Sequence, residues 1–298
     1  MSRIKRILLS LIVALLLSIP AYQLVKYDVV EAVQVGGAGV DNPETTQLYD
    51  AIVDCNGFGE YTSILTALAT ESTDASIYVR RCSYTETANV VMSSGQMIYF
   101  DDVVLTINGG YLQSAADTKI MGRLELQGTG SAAYRTLVYI NSADVDWQDC
   151  EITLEPTSTG LEEGSSGLRT FDMGTSADGV TVDLIATTLD YDSEEAVSHV
   201  VRMDGVHVRG RITLDDITNT SASASKAVYG VSLDSLDDSY ITVISDGIDT
   251  DTGDNAVGVY VYNTCNDLTI VGLSKGADSA NYTDQGGTNI EVDALNSA

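Results

Sequence analysis

Proline and phenylalanine are almost missing from this chain, with three of each in 298 residues, and tryptophan occurs once. A scaffold held by many disulfides is excluded, because only four cysteines are present and 44% hydrophobic content suffices for a large continuous core. Cationic charge is equally scarce. Lysine plus arginine number 15 against 43 acidic residues, a formal net charge of −28. Such a surface repels phosphate backbones, so no nucleic-acid partner is expected. The only two histidines, His199 and His207, have no serine-base constellation around them, and exposed strand or turn positions outweigh a metal or general-base role. What the chain does have is sixteen tyrosines and a wealth of Thr, Ser, Asp and Gly, the composition of many short strands joined by polar turns.

The first residues differ from the rest. Ser2-Arg3-Ile4-Lys5-Arg6 gives a basic flank to an apolar run containing Ile7, Leu8, Leu9, Leu11, Ile12, Val13, Leu15, Leu16 and Leu17. This is the plan of a secretory signal, but Ile19-Pro20-Ala21 is a poor cleavage site. Read on to Val25, the run approaches the roughly 20 residues of a membrane span. A retained anchor helix over 1–32 is favoured over a removed signal; it would sit in a bilayer or bundle inside a larger assembly.

A repeat sets the architecture. Apolar pairs recur as Val138-x-Ile140, Phe171-x-Met173, Val201-x-Met203, Val231-x-Leu233 and Val259-x-Val261, about 30 residues apart. Each of the later ones is followed by a polar turn and a second pair: Val180-x-Val182, Ile212-x-Leu214, Ile241-x-Val243 and Leu268-x-Ile270. Alternation at period two turns one row of side chains inward. Two unlike strands returning at a steady interval predict winding coils, not a sandwich. The expectation is an all-β, right-handed parallel β-helix solenoid of about eight coils over 76–298. Polar stretches such as Glu155 to Gly167, Tyr191 to Ser198 and Asn219 to Lys226 read as turn insertions, and 33–75 as linker and cap. Within 62–72, Ile64, Leu65, Leu68 and Ala69 fall at helical spacing and predict a short capping helix.

From Ile52-Val53-Asp54-Cys55-Asn56-Gly57 through Tyr61-Thr62-Ser63-Ile64, then Ile77-Tyr78-Val79 and Tyr84-Thr85-Glu86, the chain resembles the opening of pectin-lyase-like β-helix proteins. About 35 residues carry the resemblance strongly and some 240 as a loose repeat. It implies fold more than function, since that superfamily includes lyases, esterases, hydrolases, adhesins and phage fibres. Short virus spikes and fibres are most similar in size and in their poverty of catalytic motifs. The resemblance implies a non-enzymatic attachment protein on a virion surface. A homotrimer is expected, fixed to other virion proteins or a membrane by its N-terminal helix and facing a host glycan or protein. The alternative is an extracellular, membrane-anchored or secreted protein that binds or degrades polysaccharide.

Individual sites are few. Cys55 and Cys82 lie 27 residues apart, close to one coil, which would stack them at disulfide distance; two unbonded thiols are the alternative. Cys150 and Cys265 are some four coils apart and cannot pair. Asp249, Asp251 and Asp254 in one turn could ligate calcium, against the plainer reading of a solvated acidic turn. The same turn faintly resembles the aspartate-bearing turns of polygalacturonase-type hydrolases, without that family's companion motifs. Arg209 and Arg211 alternate on one strand and read as a surface pair. Tyr139, Tyr229, Tyr240, Tyr260 and Tyr262 with Trp147 could form an aromatic row on an outer face, for sugars or neighbouring subunits to stack on, with packing between turns as the default.

Overall fold

The structure is a computed structural model that describes residues 49–128, 136–156, 169–191, 197–219, 227–250, 256–277 and 279–293. These belong to one unit, 48–298. The apolar run of 7–17 lies outside the described residues, and among those described no helix is long and apolar enough to cross a membrane.

Among the described residues eighteen strands join in one sheet, and every pairing between them is parallel. In chain order they are β1 (Ala51–Val53), β2 (Ser76–Val79), β3 (Ser83–Glu86), β4 (Val90–Val91), β5 (Met97–Ile107) and β6 (Leu112–Ser114). The middle of the chain gives β7 (Lys119–Gly128), β8 (Val138–Ile140), β9 (Asp146–Pro156), β10 (Arg169–Met173), β11 (Thr181–Tyr191) and β12 (Val197–Val206). The last six are β13 (Arg209–Asn219), β14 (Ala227–Thr250), β15 (Ala256–Val261), β16 (Asn266–Lys275), β17 (Ala280–Asp284) and β18 (Thr288–Asp293). Each strand pairs with a counterpart from the next passage of the chain, an arrangement compatible with a β-helix.

Three rows of stacked residues follow. The first runs Ser76, Met97, Lys119, Asp146, Thr181, Arg209, Tyr240, Thr269, Glu291. The second runs Val103, Leu124, Ile152, Leu184, Ile212, Val243. The third runs Val90, Leu112, Val138, Phe171, Val201, Val231, Val259, Tyr282. Val201 and Val231 are thus direct neighbours on adjacent parallel strands. The interval is less uniform than the repeat suggests. Ser76 pairs with Met97, 21 residues on, whereas Asp146 pairs with Thr181, 35 residues on. The stacking constrains the strands, while the connections between them can change length without disturbing it. Winding also begins earlier than residue 76, since β1 pairs with β2.

One corner explains where many aspartates go. Two residues before each member of the first row stands a residue with positive φ: Asp74, Gly95, Asp117, Asp144, Gly179, His207, Asp238, Asp267 and Asn289. A single left-handed residue turns the chain sharply into the next strand. Glycine adopts that conformation freely, and Asp and Asn tolerate it better than other side chains do.

At the N-terminal end the expected cap is present as α1 (Ile64–Thr70). The Ser63 hydroxyl accepts from the Thr66 amide at 3.1 Å, and the Glu86 carboxylate accepts from both the Ser63 hydroxyl and the Leu65 amide. Ile64, Ala67 and Leu68 are buried and cover the first core residues. Cys55 and Cys82 are joined by a disulfide, with Cα atoms 6.3 Å apart, beside this cap.

Trp147 corrects the aromatic expectation. It is fully buried, T-shaped against Phe171 with its indole N–H donating to Ser114 Oγ at 3.1 Å. Val145 and Trp147 both face the core, so this pair is an apolar-x-apolar strand like the others.

Candidate functional site

Two polar clusters stand out on the outside of the stack, one largely closed and one open. The closed cluster lies on the third row and owes its shape to a break in strand alternation. Val200 and Val201 are both fully buried, as are Thr170 and Phe171. Gly230, next to Val231, also faces inward, where an added Cβ would meet Leu214 and Ile248. With two successive residues directed to the core, His199 and Arg202 emerge on the same outer side, three positions apart.

Arg202 sits among three carboxylates from successive passages of the chain. Its guanidinium reaches Asp172 at 3.2 Å, Asp204 at 3.5 Å and Asp234 at 2.8 Å, while Arg169 reaches the other oxygen of Asp172 at 3.4 Å. The Arg202 side chain is 18% exposed and that of Asp204 only 3%. Burial works against the Arg202 charge, yet the hydrogen bonds and charges of Asp234 and Asp172 outweigh it and hold the group more firmly protonated. Burial, helped by the Asp234 charge, raises the Asp204 carboxyl above its ordinary value.

His199 belongs to the same cluster, and its burial corrects the exposed position expected from sequence. Its Nδ1 lies 2.6 Å from Ser232 Oγ, and its ring packs edge-on to Tyr229. Burial, then the charges of Arg169 and Arg202, push its pKa down to about 4. Tyr229 stacks on Tyr260 with centroids 4.2 Å apart, and Tyr260 meets Tyr262 edge-on at 4.8 Å. These three form the expected aromatic row. Tyr139 instead packs against Tyr111, and Tyr240 stands on another row. A second row, Tyr49, Tyr78 and Tyr99, has no regular spacing in the sequence that would reveal it.

The open cluster lies on the first row. A cleft of about 490 Å³ is lined by Thr181, His207, Arg209, Asp238, Tyr240 and Thr269 among others. Thr181, Arg209, Tyr240 and Thr269 are consecutive members of the row, and the cleft rim is the corner of left-handed residues. Here His207 is exposed. Its Nδ1 lies 2.8 Å from Asp178 and its Nε2 3.6 Å from Asp238. The hydrogen bond with Asp178 raises its pKa. Tyr240 is 46% exposed, one of the few large side chains left so open.

No family model, no curated protein and no solved structure matches the chain.

Of the remaining sequence candidates, Asp249 pairs in register with Thr218 near the end of β14, while Asp251 and Asp254 lie outside the described residues. Among the described residues no group of three or more His, Cys, Asp or Glu side chains is placed to hold a metal ion. Cys265 is a buried thiol that donates to the Leu233 carbonyl at 3.2 Å, and burial pushes its pKa up to about 11. Cys150 is in register with Gly122 on β7, far from Cys265 along the stack.

Proposed function

We propose that this chain is a non-enzymatic attachment protein displayed on a virion surface, a spike, fibre or decoration protein built as a right-handed parallel β-helix of about eight coils. The observation that carries the reading is the unbroken register of the first row from Ser76 to Glu291. Eight steps at the usual strand separation give a stack about 40 Å long. Such a stack keeps its shape while its connections vary, which suits a part that must project and present a surface. The acidic surface favours solubility of a long β-protein. In this reading the apolar segment 7–17 fixes the chain to other virion proteins or a membrane, and the rod assembles as a homotrimer.

The test is immunogold electron microscopy with antibody to residues 49–293, applied to purified particles and to cell surfaces, with light scattering of the purified chain. Label on particles and a trimeric mass are expected. Label confined to cell envelopes would replace this reading by the second one, a membrane-anchored or secreted protein that binds or degrades polysaccharide. The open cleft with Tyr240 and Arg209 favours that second reading, because an exposed ring beside a cation is a common way to hold a sugar. Release of oligosaccharides from candidate polysaccharides, with and without calcium, would then separate binding from degradation.

A further inference from the structure

We infer that the outward face of β13, the second half of β14, β16 and β18 is a contact surface for a second copy of this chain, related to the first by a two-fold axis parallel to the strands. This goes beyond the reading of the chain as a displayed rod and does not depend on it.

The strand register lays the face out as a grid. Arg209, Tyr240, Thr269 and Glu291 stand side by side in the first row. Two residues further along each strand, Arg211, Thr242, Val271 and Asp293 form the next outward row. Beyond these lie Thr213, Ile244 and Leu273, and then Asp215, Asp246 and Lys275. Tyr240 and Ile244 are 46% and 42% exposed, and with the half-buried Val271 and Leu273 they make the middle of the face apolar.

Charge is divided between the two edges. Arg209 and Arg211 are exposed on β13, Glu291 and Asp293 are exposed on β18, and none of the four is in an ion pair among the described residues. In a chain of −28 cations are scarce, and others are occupied, as Arg80 is by Asp54 and Arg202 by its three carboxylates. Three strand steps, about 14 Å, separate the edges, so the opposite charges of one copy are too far apart to pair with each other.

A two-fold axis lying in the face, along the strands and between β14 and β16, brings them together. It sets β13 of one copy opposite β18 of the other, and β14 opposite β16. Arg209 then faces Glu291 and Arg211 faces Asp293, each contact occurring twice. Between them Ile244 faces Leu273, Thr242 faces Val271, and Tyr240 lies over Thr269 at the rim of the open cleft. In the last row Asp246 faces Lys275, so the ion pair they form within each copy, at 2.6 Å, joins its counterpart in a square of alternating charge. A three-fold axis parallel to the stack would instead bring equal heights together, setting β13 against β13 and leaving the arginines without carboxylates. The pairing is therefore antiparallel and separate from any three-fold bundling. Four strands by about seven residues give roughly 400 Å² per copy, half of what a standard interface buries, so the pairing is expected to be weak and reversible.

The test is sedimentation equilibrium of the purified full chain in an uncharged detergent, from about 1 µM to about 0.5 mM at about 0.15 M salt. The mass at dilution reports any bundling through other surfaces, and the mass at the upper end is expected to be twice that value. Arg211→Glu and Asp293→Arg should each weaken the doubling about tenfold or more, because each sets like charges opposite one another. The chain carrying both changes should regain it, since each altered position faces the other across the axis. Ile244→Asp should also weaken it, through the lost contact with Leu273. Thermal midpoints at dilution should stay with the parent in every variant, because the altered side chains are exposed. The inference is overturned if the mass does not double, if either charge reversal leaves the doubling intact, or if the doubly changed chain keeps the parent's thermal midpoint and stays unpaired. A rise from one chain to two would remove the homotrimer and leave this face standing; three chains at every concentration would do the reverse.

Discussion

The two polar clusters use the same residue types, Arg, His, Asp and Tyr, on neighbouring rows of one sheet, and the structure treats them in opposite ways. On the third row, Arg202 is enclosed by Asp172, Asp204 and Asp234, and His199 is buried against Ser232. On the first row, Arg209 is exposed with no ion-pair partner among the described residues, and His207 is open to solvent. Backbone geometry makes the difference. In the closed cluster two successive inward residues bring outer side chains from three passages of the chain to one point. In the open one, strict alternation spreads them along a row. Charge that converges holds the fold together, and charge that is spread remains available to a ligand.

The largest expected effect comes from exchanging the arginines. Arg202→Met leaves the buried Asp204 and the half-buried Asp234 without their cation and Asp172 with Arg169 alone, which should cost about 3–5 kcal/mol of folding stability. Arg209→Met should leave stability unchanged within error, as for exposed substitutions generally. Urea unfolding followed by circular dichroism would compare them. Equal losses in the two variants would show that the closed cluster is no more structural than the open one.

The histidines should differ in sign. His199 has a pKa of about 4 in the folded chain against an ordinary 6.5. Between those values the unfolded chain binds a proton that the folded chain refuses, so stability falls as pH falls through the window, by roughly 3 kcal/mol at most. Asp204 works the other way. Its raised folded value favours the folded state in acid, and this is lost as pH rises above 3.8. His199→Gln keeps a hydrogen-bonding group near Ser232 and removes the titration. Its stability should therefore decline less than the parent's between pH 6.5 and 4. Parallel pH profiles for variant and parent would show that His199 is not shielded from protons.

The two clusters were not equally legible in the sequence. Stacked core residues such as Val201 and Val231 are readable because apolar pairs repeat on their own strands, and the cap is readable because Ile64, Leu65, Leu68 and Ala69 keep helical spacing. Arg209 and Arg211 could be read as a surface pair from alternation alone. The Arg202 cluster could not, for two physical reasons. Its members come from strands some 30 residues apart, and no local pattern marks the point where alternation breaks, which is also why His199 looked exposed. Trp147 is legible as a core residue only through Val145, two positions earlier and on the same inward face. The corner is itself marked in the sequence by an Asp or Asn two residues before a first-row position, left-handed at Asp117, Asp144, Asp238 and Asn289.

That corner supplies the smallest effect and the finest test of the contrast. His207 has φ of 53° and a raised pKa from its contact with Asp178, so its side chain should add stability below pH 6.5 that is lost as pH rises through its folded value. The pair is exposed, and its contribution should be small. His207→Asn keeps a residue that tolerates the left-handed turn. At pH 8 its thermal midpoint should match the parent, and at pH 5.5 it should fall slightly below. His207→Val, β-branched, should instead lower the midpoint by a few degrees at both pH values, because the strain lies in the backbone and does not titrate. If Asn and Val behave alike, the corner is not held by its left-handed residues, and the open cleft they frame would lose its rigid rim.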